Sequence, residues 1–229
     1  MSGDWAASAL GWWRDAGVDT IVAEAPRNWL KPAATETTLA AETPVTAGAG
    51  WPDEIAALRR WLAEDPDLPL ATATARRFMP EGDPAADLMI FIAMPGREAL
   101  VDGAEADLLD GMLRAIGRGR DSVYLAPLST VRTATGRLST DDLRRLAPLA
   151  RHHVGLVRPR ALLLFGDACA QALLGAPVAK TRGRWHEAET PAGPIRAVAT
   201  IRPEDMTRTP GLKKLAWADL QMLMEGLTT

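Results

Sequence analysis

Apolar and polar positions along the 229 residues divide the chain into three stretches. Residues 1–31 carry Trp5, Leu10, Trp12, Trp13, Val18, Ile21, Val22, Trp29 and Leu30, which predicts a tryptophan-rich helical extension. Residues 32–50 are rich in Ala, Thr, Pro and Gly and poor in large apolar groups, the composition of a linker. From Trp51 the pattern becomes regular, which predicts one folded domain over 51–229. Ile55, Leu58, Trp61 and Leu62 fall at helical spacing. Leu88–Met94 is a continuous apolar run, as expected of a strand covered on both faces. Leu108, Leu109, Met112, Leu113 and Ile116 mark a helix that stops near Gly117 and Gly119.

Val123–Leu128 and Ala161–Phe165 read as the second and third strands, and Ile195–Thr200 as the fourth. Between them, Ser139-Thr-Asp-Asp142 is a capping signal, with Leu143, Leu146, Ala150, Val154 and Val157 as the buried stripe behind it. Asp167 is expected to cap a short helix ending at Gly175. Arg182–His186 reads as part of a hairpin, and Thr209-Pro210 as the start of the last helix. Strands alternating with helices predict an α/β fold, a three-layer α/β/α sandwich around a central four-stranded parallel sheet. Ligands of such sheets bind beyond the carboxyl ends of the strands. Those ends are Met94–Arg97, Pro127–Arg132, Gly166-Asp167 and Ile201–Arg208.

Four stretches carry a resemblance: Ala86–Gly96, Ser122–Ala126, Val157–Gly166 and Thr200–Arg208. Together they resemble the backbone of the iron–sulfur-type (family 4) uracil-DNA glycosylases, over about Trp51 to Leu223. The resemblance implies the uracil-DNA glycosylase sandwich and a protein of DNA-repair type. If active, it would be a hydrolase of N-glycosidic bonds. The family's first motif, Gly-Glu-Ala/Gly-Pro-Gly, stands here as Ile92-Ala-Met-Pro-Gly96, with Ala93 at the water-positioning acid. The asparagine that reads the uracil edge falls on Pro127, and the histidine of the second motif on Arg202, within Arg202-Pro-Glu-Asp-Met-Thr-Arg208. The aromatic residue that stacks on the base has no counterpart between Val101 and Asp107. The cluster cysteines fall on Leu68, Val131 and Leu146, so the resemblance implies a protein with no iron–sulfur cluster, no other metal and no cofactor.

Base excision needs a reader, a stacker and charge stabilisation at the breaking bond. Ala93 and Pro127 supply none of these. Arg202 is the candidate catalytic group, because a guanidinium stabilises a departing anion. Met94, Pro95, Gly96, Arg97, Arg132, Pro203 and Arg208 are candidate substrate- or DNA-binding residues around it. Two readings stay open. In one, Arg97, Arg132, Arg202 and Arg208 bind phosphate. In the other, each pairs with Glu98, Asp102, Glu204 or Asp205. Function divides in the same way, between a glycosylase with a rebuilt site and a noncatalytic descendant that binds nucleic acid or protein.

Charge sharpens this picture. The net charge of −3 hides an acidic stretch, residues 52–110 with 13 acids and 5 basic groups, and a basic one, residues 114–160 with 10 arginines and 3 acids. That asymmetry permits DNA as a partner on one face. The tryptophans of residues 1–31 make a protein partner the alternative. The single cysteine, Cys169, lies in an apolar helical pattern and reads as a packed small residue. His152-His153 point in different directions on a helix and make a poor metal pair. Glu105 and Asp107 read as first-turn helix acids, and Arg182 and Arg184 as a secondary DNA-facing possibility. No secretion signal and no membrane-length apolar run is found, so the expected location is cytoplasmic, with no membrane partner.

Overall fold

Five consecutive apolar residues, Leu88–Ile92, form strand β2, buried along its whole length because helices cover both faces. The computed structural model describes residues 50–228, so the expectations for residues 1–49, the tryptophan-rich extension and nearly all of the linker, lie outside the described residues. In chain order the elements are α1 (Ile55–Glu64), β1 (Glu81–Gly82), β2, α2 (Gly103–Ala115), β3 (Tyr124–Pro127), α3 (Thr140–Val157), β4 (Ala161–Phe165), α4 (Gly166–Leu174), α5 (Val178–Thr181), β5 (His186–Ala188), β6 (Ile195–Thr200), α6 (Pro203–Arg208) and α7 (Lys213–Thr228).

The sheet runs β1-β3-β2-β4-β6-β5. The inner four strands are parallel, as the periodicity predicts. The sheet as a whole is not: β1 pairs antiparallel with β3 and β5 antiparallel with β6, so it is mixed and six-stranded. Both extra strands are two or three residues long and largely polar, and each exists by pairing with an edge of the parallel core.

Alternation along the strands sorts the core into two layers. Met89, Phe91, Tyr124, Leu162, Leu164 and Ala197 face α3 and α4. Ile90, Leu125, Leu163, Phe165 and Val198 face α2 and α7. Helix α1 packs Leu58 and Leu62 against Leu68 and against Leu149 of α3. The Ser139 signal forms a full capping box: Ser139 Oγ accepts from Asp142 N at 3.1 Å, and the Asp142 carboxylate accepts from Ser139 N at 2.8 Å.

Other expectations are corrected. Asp167 does not cap α4; its carboxylate accepts from Val178 N at 2.8 Å and holds the start of α5 instead. The stretch from Ile201 to Arg208 is not all loop, because Pro203 opens α6. The last helix begins at Lys213, after a 3-10 turn over Pro210–Leu212. Among the described residues, no helix is long and apolar enough to cross a membrane.

Candidate functional site

Parallel strands end on one edge of the sheet, and the loops that leave that edge enclose a cleft. Each of the four strand ends contributes: Ala93–Arg97 after β2, Arg132 and Gly136 after β3, Gly166 after β4, and Ile201–Glu204 after β6. The cleft has two compartments, of about 520 Å³ and about 230 Å³, which share Ala93, Met94, Gly136 and Arg202 as their common wall.

Arg202 is fixed from two directions. Its Nε and Nη2 donate to the two carboxylate oxygens of Asp205 at 3.0 and 2.9 Å, a bidentate fork one turn ahead on α6. Its Nη1 lies 3.2 Å from Glu204, which also binds Arg208. The stem of Arg202 crosses Gly166, where a Cβ would come within 2.3 Å of Cγ and 2.5 Å of Cδ. Gly166 has φ +82°, so glycine is required there both for space and for backbone conformation. The Asp205 carboxylate holds the Arg202 guanidinium firmly in its charged form.

The loop after β2 folds round a carboxylate. Asp102 accepts from the backbone N–H groups of Arg97 at 2.6 Å and Glu98 at 2.8 Å. These bonds hold its pKa below the usual carboxylate range. Gly96 leaves the room: a Cβ there would come within 2.4 Å of the Asp102 carboxylate. Arg132 Nη1 donates to the carbonyl of Pro95 at 2.8 Å, joining the loop after β3 to the loop after β2. Glu105, in the first turn of α2, also lines the smaller compartment. Desolvation, then the nearby charges of Glu204 and Asp102, raise its pKa.

Of the candidate residues, Met94, Pro95, Gly96, Arg97, Arg132, Arg202 and Pro203 all line the smaller compartment. Arg208 does not line either compartment; it points along α6 to Glu204. The alternative of arginines paired with acids therefore holds for Arg202 and Arg208. It does not hold for Arg97 and Arg132, which form no ion pair among the described residues. Glu98 instead lies 3.6 Å from Arg76. Arg97, Arg132 and Arg137 are exposed at the cleft's rim. The sequence pattern marks Glu105 only as a first-turn helix acid and does not single out Arg137, because a first-turn acid has the same pattern whether it faces solvent or a cleft.

Arg182 lines the larger compartment with its guanidinium tied to Asp219. It donates to Asp219 and, at 2.9 Å, to the carbonyl of Leu215. Asp219 is fully buried and also accepts from Thr200 Oγ1 at 2.8 Å and Gly183 N at 3.1 Å. His153 is buried, not superficial, with its Nε2 3.0 Å from the Tyr124 hydroxyl. His152 Nε2 lies 2.7 Å from the Pro52 carbonyl. Cys169 is fully buried, and burial pushes its thiol pKa up.

The positions that the resemblance assigns to cluster ligands hold no ligating atoms. Leu68 and Leu146 meet across a cavity of about 10 Å³ together with Pro127 and Leu128, and Val131 is buried nearby. Carbon side chains cannot bind iron, and the space between them is that of a single water. Pro127 therefore belongs to this apolar seam and not to the cleft. No protein-family model matches the chain, and no curated protein matches it.

Proposed function

We propose that the chain is a uracil-DNA-glycosylase-like protein of DNA-repair type that binds single-stranded DNA at the carboxyl edge of its sheet and lacks the groups for ordinary uracil excision. The observation that carries this reading is the division of charge in the cleft. Three exposed arginines, Arg97, Arg132 and Arg137, stand at the rim with no close ion pair among the described residues, while Arg202 inside is neutralised by Asp205 and Glu204. Unpaired rim cations suit phosphates, and a compartment of about 230 Å³ with balanced charge suits one uncharged base.

The groups at the family's catalytic positions support binding without uracil release. Ala93 orients no water, and Pro127 lies in an apolar seam with neither amide nor backbone N–H to offer. Apolar residues at positions 68, 131 and 146 are consistent with the same descent, because all three ligand positions are filled by buried packing groups. A base-release assay on single-stranded uracil-containing DNA, with abasic sites revealed by alkali, tests the reading together with a binding titration of the same oligonucleotide. Binding without strand cleavage is expected. Cleavage that disappears in Arg202→Ala would establish a rebuilt glycosylase instead, and absence of both would remove DNA from the account.

A further inference from the structure

Glu105 is the one carboxylate of the smaller compartment whose side chain has no hydrogen bond or ion pair among the described residues. Asp102 is taken up by backbone N–H groups of its own loop, Glu204 by Arg202 and Arg208, and Arg202 by Asp205. Glu105 is only half-exposed, and the other carboxylates of the compartment stand near it. A partly buried carboxylate without donors is a binding site for N–H groups, because an ionised carboxylate only accepts.

We infer that Glu105 reads the edge of the base in this compartment and selects a guanine-type edge over uracil. The inference rests on the single-stranded DNA reading given above and names the base for it. Guanine presents two adjacent donors, N1–H and the N2 amino group, which match the two oxygens of one carboxylate. Its O6 is an acceptor and suits a guanidinium beside that carboxylate. The compartment offers that combination: Glu105 on α2, with Arg132 and Arg202 the cations that act on it electrostatically. Uracil presents acceptor, donor, acceptor, so one oxygen of Glu105 would accept from N3–H while the other faced a carbonyl oxygen, and only one hydrogen bond would form. Adenine and cytosine each present one amino group beside an acceptor nitrogen and meet the same conflict. A site built on donor–acceptor pairing rejects a mismatched edge, since each mismatch leaves a partly desolvated polar group unpaired.

The test uses the full chain and thymine oligonucleotides of one length, each with a single central guanine, uracil or abasic site, titrated by fluorescence anisotropy. Wild-type protein is expected to bind the guanine strand at least tenfold tighter than the uracil strand. Glu105→Gln is expected to remove that preference while still binding the abasic strand, and an unchanged far-ultraviolet circular dichroism spectrum and melting temperature show that the variant is folded. Equal wild-type affinity for the guanine and uracil strands would overturn the role of Glu105 and leave the DNA-binding reading standing. A guanine preference that survives Glu105→Gln would overturn it too. Failure to bind any of the three strands would overturn both.

Discussion

The side chain of Arg202 lies across the backbone of Gly166, so the cation on the wall shared by the two compartments is seated where β4 turns into α4. The contact leaves no room for a Cβ, and the positive φ of Gly166 independently disfavours one. Gly166→Ala is expected to destabilise the fold by about 1–3 kcal/mol through both effects. Arg202→Ala should relieve the steric part alone. Thermal melts of the two single variants and the double variant check this: the double variant should be more stable than the sum of the single losses implies, and strict additivity would mean that the two residues do not press on each other.

Asp219 anchors α7 to the end of β6 and to the turn at Gly183 with three donors around a fully buried carboxylate. Asp219→Ala removes the anion beside the Arg182 guanidinium, which keeps only the Leu215 carbonyl, and leaves the Thr200 hydroxyl unpaired in the interior. A loss of about 3–5 kcal/mol is expected in chemical denaturation. Arg182→Ala should cost a comparable amount, because the Asp219 charge would then be buried without its cation.

His153 sets the acid side of the stability profile. Burial lowers its pKa from 6.5 to about 3, so below pH 6.5 the unfolded chain takes up a proton that the folded chain refuses. Stability should fall as pH drops from 6.5 towards 3, and should hold its full value above 6.5. His153→Phe should flatten that slope, although it costs stability at neutral pH by leaving the Tyr124 hydroxyl unpaired. At the other end, burial pushes Tyr124 up to about 12, so stability should fall again as pH rises from 10 towards 12. Denaturant midpoints measured across pH in wild type and His153→Phe separate the two groups.

The central strands are legible in the sequence because Leu88–Ile92 and Ala161–Phe165 are buried on both faces and so read as unbroken apolar runs. The cleft is legible for the same reason: parallel strands fix which ends the loops occupy. What escapes is set by partners and not by pattern. Glu81-Gly82 and His186–Ala188 become strands only by pairing at an edge, and neither has a periodicity of its own. Helix α6 has six residues with only Pro203 and Met206 buried, too few to show a period. Arg132 binds a backbone carbonyl, which any residue at position 95 would supply. His153 reads as one of two adjacent histidines on a helix; only the packing of α3 on the sheet shows that one faces Tyr124 and the other Pro52.

Asp102 holds the loop from Gly96 to Ala99 in shape with bonds that strengthen when it is ionised. Asp102→Ala should free that loop and with it the placement of Arg97. The expected result is weaker single-stranded DNA binding with little change in global melting temperature, since the loop lies outside both core layers. Amide hydrogen exchange at Arg97 and Glu98 should rise sharply in the variant; unchanged protection there would show that the carboxylate does not hold the loop.

Binding of single-stranded DNA as a function of salt bears most directly on the central claim, that the rim arginines take phosphates. The affinity of wild-type protein should fall linearly on a plot of log affinity against log salt. Each phosphate contact removed should lower the slope by about 0.7. The Arg97→Ala/Arg132→Ala double variant should therefore show a slope smaller by about 1.4, and weaker binding to every sequence alike. A wild-type affinity insensitive to salt, or a double variant with the wild-type slope, would contradict the assignment of this edge to a DNA strand.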